Sequence, residues 1–244
     1  MTASELWVCQ LGTVEYREAL ALQERVRAAR QDDRVPDVLL VLEHPPVYTR
    51  GRRSQAAELP MGEAWYLAQG IDVVDVDRGG RVTYHGPGQL VGYPIMRIAD
   101  VIAYLRTMER AIVATLADAG VPARARPDDG PDFTGVWAGE RKIASIGVHV
   151  ARGVTTHGFA INVQNDLQPF SWVVPCGLDG VQMTSVIKET GASGTALPLA
   201  EIRVAAARRF AQEFGHDARA VDLAGLEAAI AEAAAQAARP GAGP

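Results

Sequence analysis

Apolar residues along this chain recur in two rhythms: short continuous or alternating blocks, and three- and four-residue steps. Leu6 to Leu11 reads as a first strand bounded by Gly12, and Val14 to Arg30 as a polar-rich helix with Tyr16, Leu20 and Val26 facing inward. Val38 to Leu42 is continuously apolar, the pattern of a strand covered on both faces. It stops at Glu43-His44-Pro45-Pro46, because tandem prolines donate no hydrogen bond to a ladder. Arg50-Gly51-Arg52-Arg53 then reads as an exposed basic loop. Ile71 to Val76 and Leu90 to Ile95 predict two further strands.

The clearest helix follows Asp100, a good N-cap, and carries Val101, Tyr104, Leu105, Met108, Ile112 and Leu116 at helical spacing until Gly120. Thr134 to Ala138, Lys142 to Val150 and Val154 to Val163 predict strands, the last two joined by the hairpin turn Ala151-Arg152-Gly153. Two helices close the chain. One places Leu199, Ile202, Ala206, Phe210 and Phe214 on one face; the other, capped by Asp222, presents Leu223, Leu226 and Ile230. No repeat or linker divides the sequence, and the order is not a regular strand–helix alternation. The expected fold is a single α/β domain of the α+β kind, a mixed sheet flanked by helices. It should occupy residues 1–230, with 231–244 an alanine-rich disordered tail.

Between two of these strands lies Arg78-Gly79-Gly80-Arg81-Val82-Thr83-Tyr84-His85-Gly86-Pro87-Gly88-Gln89. Glycine at that density lets backbone approach a ligand with no Cβ in the way, so the segment is expected to wall a pocket. Its spacing is wrong for a dinucleotide fingerprint, and no phosphate-binding GxxxxGK[ST] occurs. The net charge of −5 gives no reason to expect nucleic acid or an anionic membrane as partner. No apolar run approaches the roughly 18–20 residues of a membrane span, and the N-terminal residues lack the pattern of a signal peptide. Two cysteines, Cys9 and Cys176, build no disulfide framework and suit a reducing cytoplasm.

Cys9 sits inside an apolar strand and reads as core. Cys176 stands between Pro175 and Gly177, on a turn that presents a thiol instead of packing it. A free thiol is only a few per cent ionised at neutral pH. Lowering its pKa by about two units takes about 2.7 kcal/mol. One ammonium about 4 Å away offers about 4 kcal/mol at an effective dielectric near 20. The chain has two lysines, Lys142 and Lys188. Lys142 opens an apolar strand, where either a solvated end or a site role fits, and Lys188 lies in a polar turn. The five histidines show no metal-ligand spacing, so no metal is expected. His85 could orient a substrate or bond the backbone, while His149 and His157 are assigned to the hairpin or a pocket wall.

Several of these segments together are specific. Glu43-His44-Pro45-Pro46-Val47-Tyr48-Thr49, Arg78-Gly79-Gly80, Thr83-Tyr84-His85, Gly88-Gln89 and Tyr93-Pro94 come first. Arg141 to Gly147, His157 to Val163 and Pro175-Cys176-Gly177 follow. In this order the chain resembles the lipoyl(octanoyl) transferases; Arg50, where an aliphatic residue is expected, is a departure. The resemblance implies the fold shared by biotin and lipoate protein ligases. It implies Cys176 as an acyl-thioester nucleophile and Lys142 as the group that lowers its pKa and moves the proton. It implies an acyl site lined by Arg78, Gly79, Gly80, Arg81, Val82, Thr83, Tyr84 and His85, with Ser145, Ile146, Gly147, Gly158, Phe159 and Ala160. Octanoyl-acyl carrier protein would be the donor, and lipoyl domains of 2-oxoacid dehydrogenase complexes and the glycine-cleavage H protein the acceptors. No cofactor is implied. Arg50, Arg52 and Arg53 would then guide the acidic carrier protein. The alternative of the same fold is an ATP-dependent lipoate or biotin ligase, in which Cys176 would be idle.

Overall fold

A computed structural model of the chain describes residues 4–173, 180–191 and 197–237. Among them runs a mixed eight-stranded sheet ordered β11-β1-β2-β6-β10-β9-β8-β7. Its strands are β1 (Ser4–Thr13), β2 (Asp37–Glu43), β6 (Gln89–Ile95), β7 (Arg124–Ala125), β8 (Gly135–Ala138), β9 (Arg141–Ala151), β10 (Val154–Asn162) and β11 (His216–Ala220). A second sheet of three short strands is ordered β4-β3-β5: β3 (Val47–Arg50), β4 (Asp72–Asp75) and β5 (Val82–His85).

β2 shows why the large sheet is buried on both sides. Leu39 and Val41 point into one core with Met108, Ile112 and Phe210, and Val38, Leu40 and Leu42 point into the other with Leu22, Val26 and Leu226. Alternation along one strand thus feeds two layers. Helices α3 (Val101–Asp118) and α5 (Leu199–Phe214) cover the first face; α1 (Tyr16–Gln31) and α6 (Leu223–Ala237) cover the second. A fully buried valine or leucine contributes about 1.5–3 kcal/mol, so this central strand anchors the fold. α3 is capped as expected: Asp100 Oδ1 accepts from the backbone N–H groups of Ile102 and Ala103, at 2.7 and 3.0 Å. The β9–β10 hairpin turns through Arg152 and Gly153, both at positive φ, the geometry that matches the strand twist.

Several expectations are corrected. The chain after Pro46 pairs at once as β3, where the Val47-Tyr48-Thr49 side chains are buried. Arg50 therefore belongs to a strand and forks onto Asp75 at 2.6 and 2.9 Å, so the basic segment is not uniformly a loop. The inward side of α1 is Ala19, Leu22, Val26 and Ala29 rather than Leu20. In α3 Val101 is 40% exposed, and in α6 Leu223 is exposed while Leu226 is buried. α6 runs past Ile230 to Ala237, and residues 238–244 lie outside the described residues. Among the described residues no helix is long and apolar enough to cross a membrane.

β11 is an edge strand held by β1 and by one polar tie at its start. His216 Nε2 lies 3.1 Å from Asp37 Oδ2, and Asp37 also accepts from Arg30 Nε at 2.6 Å and from the Arg97 backbone. Burial pushes the Asp37 carboxyl up, but hydrogen bonds from His216 and Arg30 bring it below the usual range. The hydrogen bond to Asp37 raises the His216 pKa above its ordinary value, outweighing burial. A raised folded pKa stabilises fully below the unfolded value of about 6.5 and is lost as pH rises through the folded value. His216→Asn should therefore cost about 1–2 kcal/mol at pH 6 and much less at pH 9, measured by urea unfolding at both. An equal loss at both pH values would contradict the ion pair.

Candidate active site

The glycine-rich segment and the β9–β10 hairpin face one another across a cleft with about 500 Å³ of empty space, part of it open to solvent. From the first come Arg78, Gly80, Arg81, Val82, Thr83 and His85; from the second Lys142, Ser145, Ile146, Gly147, Gly158, Phe159 and Ala160. Two distant sequence runs become cross-strand neighbours here: Ser145 opposes Ala160, Ile146 opposes Phe159, and Gly147 opposes Gly158. Gly158 has to lack a side chain, since a Cβ there would sit 2.2 Å from the Gly92 carbonyl oxygen. Two residues expected at the site do not line the cleft. β-strand alternation turns Tyr84 away from it, into the small-sheet core, with the rings of Tyr48 and Phe170 each 5.5 Å off. Gly79 donates its N–H to Val148 O and borders a neighbouring cleft instead.

The deep end is polar but mostly uncharged. Tyr16 from α1, Tyr93 from β6 and His157 line it beside Arg78 and His85. His157 adopts φ +58°, uncommon for a residue with a Cβ, and is held there on three sides. Its backbone N–H donates to Gln23 Oε1 at 2.7 Å, its Nε2 bonds Asp77 at 2.7 Å, and Tyr16 Oη lies 3.4 Å from Nδ1. With Nε2–H given to the carboxylate, Nδ1 is the acceptor. His44 donates from Nδ1 to Val14 O and accepts at Nε2 from the Tyr93 hydroxyl, both at 2.7 Å. His85 donates to Gln89 Oε1 at 2.8 Å, because the Gln89 amide nitrogen is committed to Asn162 Oδ1 and Tyr84 O. Burial lowers the pKa of His44 to about 4, drives that of His85 well below its ordinary value, and lowers that of His157 against the pull of Asp77. Burial likewise pushes Tyr16 up to about 12 and Tyr93 well up. At neutral pH these rings carry no charge.

Arg78 is the buried cation of this end. Its guanidinium donates to Thr49 O at 2.8 Å, Thr49 Oγ1 at 2.6 Å and Gly79 O at 3.0 Å, tying the glycine-rich segment to β3. Arg81 pairs with the buried Glu58 at 2.6 Å.

Lys142 sits where the cleft meets the start of β9 and is only 2% exposed. Three features aim it. Val136 opposes Ala144 while Trp137 opposes Lys142, leaving Ile143 as the extra residue of a bulge, a device that re-aims side chains. Gly135 holds φ +137°, and a Cβ there would lie 2.5 Å from Ala144 O and 2.9 Å from Lys142 Cε. The Lys142 Nζ stands 5.4 Å from the centre of the Trp137 ring, a cation–π contact. Its backbone is bonded on both sides by one further segment: Lys142 N–H to Gln182 O and Thr184 N–H to Lys142 O, each at 2.9 Å. Cys176 lies outside the described residues. Lys188, by contrast, is exposed.

Brief treatment with an amine-acetylating reagent should label Lys188 and spare Lys142 in the folded protein, read by peptide mass mapping. Gly135→Ala should raise labelling of Lys142 several-fold while Lys188 stays constant. Equal labelling of the two lysines in the unsubstituted protein would contradict the burial.

Comparison with known proteins places the chain in a family. Residues 15–211 match the family described as the lipoyl protein ligase A/B catalytic domain. An octanoyltransferase of Solibacter usitatus is 46% identical over 209 residues, covering 84% of this chain and 91% of the relative. An octanoyltransferase of Caldicellulosiruptor bescii is 44% identical over 190 residues, 76% of this chain and 82% of the relative. Among solved structures, a lipoate-protein ligase A bound with ATP superposes with TM-score 0.74 at 23% identity, over 95% of this chain and 94% of that one. A bipartite lipoate protein ligase from Thermoplasma acidophilum, solved in a study that includes its E2 lipoyl domain, superposes at TM-score 0.73 and 20% identity, over 95% and 92%. With a catalytic-domain match over most of its length, and these relatives, the chain belongs to the lipoyl protein ligase A/B family and is an enzyme of its octanoyltransferase branch.

Proposed function

We propose that the chain transfers octanoyl through Cys176, from the phosphopantetheine thioester of acyl carrier protein to a lysine of a lipoyl domain. Lipoyl domains of 2-oxoacid dehydrogenase complexes and the glycine-cleavage H protein are the acceptors in this reading. The observation that carries it is Lys142, a buried lysine at the cleft whose backbone is bonded by residues 182–184, six residues along the chain from Cys176. An ammonium in that place lowers the pKa of a neighbouring thiol and supplies the proton a reacting thioester needs.

In the first half-reaction the Cys176 thiolate adds to the thioester carbonyl. The carbon–sulfur bond to the pantetheine breaks, and the departing sulfur takes a proton from Lys142. In the second, the acceptor amine adds to the acyl-Cys176 carbonyl and loses a proton to Lys142, and the Cys176 sulfur leaves as thiolate. A thioester is exchanged for a thioester and then for an amide, so no nucleotide is consumed. In this reading the acyl chain lies against Ile146, Phe159 and Ala160, and the imidazoles and phenols of the deep end add no charge beside it.

Incubation with octanoyl-acyl carrier protein alone should leave one octanoyl group on Cys176, seen by peptide mass spectrometry. Cys176→Ser should lose at least about a thousandfold in transfer, whereas a nucleotide-dependent ligase would tolerate it. Turnover with no adduct would contradict the thioester. Ser145→Leu, which adds bulk to the cleft wall, should shift preference towards shorter chains. Each excluded methylene is worth about 0.8 kcal/mol, so hexanoyl should gain about tenfold on octanoyl in kcat/KM. An unchanged ratio would place the chain elsewhere.

A further inference from the structure

A second cleft adjoins the first and shares its wall. Gly80, Arg81, Lys142, Ile146 and Gly147 line both. On its far side the second cleft passes between the N-terminal turns of α3, the segment around Pro131, and β9. Exposure orders its lining. Lys142 is buried at the inner end; Arg53, with half its side chain exposed, stands at the mouth.

We propose that this second cleft holds the pantetheine arm of the acyl donor while the acyl chain lies in the first. The inference rests on the thioester-transfer reading above and adds a place for the leaving group. A thioester carbonyl is planar and carries two substituents, the acyl chain and the sulfur of the arm. With the carbonyl at Lys142 and the acyl chain in the first cleft, the sulfur substituent has to leave on the other side of the shared wall. The second cleft lies there.

Its chemistry fits an arm of amides and a dimethyl-bearing carbon ending in phosphate. Val101 and Leu105 belong to the inward stripe of α3, yet Val101 stays 40% exposed and Leu105 partly so. Ile146 and Val148 are likewise only partly covered. These apolar side chains line a groove next to the buried Lys142 amine, which core packing does not explain. Gly79 and Gly80 add backbone without bulk, and Thr134 a hydroxyl. At the mouth Arg53 comes within 2.9 Å of Asp132, but Asp132 Oδ1 receives no aligned hydrogen bond. A half-exposed pair of this kind is worth little, so the phosphate of the arm can take the place of Asp132 on Arg53.

The test compares acylation of Cys176 by octanoyl-4′-phosphopantetheine and by octanoyl-N-acetylcysteamine, whose arm is cut short. Binding of non-acylated 4′-phosphopantetheine is followed by calorimetry in Cys176→Ser. The full-arm donor should exceed the truncated one by about tenfold or more in kcat/KM, through use of remote binding contacts. Leu105→Trp, which fills the groove, should reduce that ratio at least about fivefold and weaken 4′-phosphopantetheine binding in parallel. Arg53→Glu should raise KM for the phosphate-bearing donor and leave kcat within about twofold. A donor ratio unchanged by Leu105→Trp, or 4′-phosphopantetheine binding that survives both substitutions, would overturn the assignment. If neither donor acylates Cys176 yet 4′-phosphopantetheine binding depends on Leu105, the thioester reading fails and the cleft stands.

Discussion

A lysine ammonium hidden from water is expensive, because taking the charge out of solvent costs several kcal/mol unless neighbours replace the lost hydration. The fold accepts this cost at Lys142 and devotes a good part of one sheet edge to it. A bulge turns the residue, a glycine at a left-handed angle clears its path, and an indole face lies beside its amine. Gln182 and Thr184 bond its backbone on both sides. Among the described residues Arg81 pairs with Glu58, Arg141 pairs with Glu189, and Arg78 is buried against Thr49 and Gly79. Lys142 has an aromatic ring and a cleft beside it.

The second sheet gives that lysine a cavity to serve. β5 carries the glycine-rich segment over β9 and β10, with Arg78 bonded back to Thr49 and His85 linked through Gln89 and Asn162 to the Thr184 carbonyl. This chain of buried amides crosses from the small sheet to the segment that pairs with Lys142. Both sides of the site are thus fixed by the same polar network. In a low-dielectric interior each of its hydrogen bonds is strong, and each lost partner is costly. Preorganised walls of this kind let binding energy go into orienting a substrate instead of ordering the protein.

Much of this was legible in the sequence where packing follows a simple period. Val38 to Leu42 read as a doubly covered strand because no polar residue interrupts it, and the structure buries it on both faces. Asp100 read as a cap because its short carboxylate can reach the next amides. The pocket walls came from motifs, and the β9–β10 register shows how two such runs meet. β4 of the small sheet was read from Ile71 to Val76, but β3 and β5 were missed because each spans four residues, too few for a period to emerge beside prolines and arginines. β11 was missed because His216 to Ala220 is a largely exposed edge strand with no apolar alternation. Tyr16 and Tyr93 reach the site from a helix and a core strand, and in sequence they look like ordinary core aromatics. Tyr84 misled for the reverse reason: it lies within the pocket segment, but strand alternation points it away. Arg50 read as part of a charged loop because sequence spacing cannot show that Asp75 lies across the β3–β4 ladder.

The central proposal is that the buried Lys142 ammonium keeps the Cys176 sulfur anionic. The rate of Cys176 alkylation by iodoacetamide, followed against pH, reads that directly. The account predicts a titration about two units below the free thiol value near 8.5, moving back up towards that value in Lys142→Met. A Cys176 titration at the free value, or one that Lys142→Met leaves in place, would contradict it.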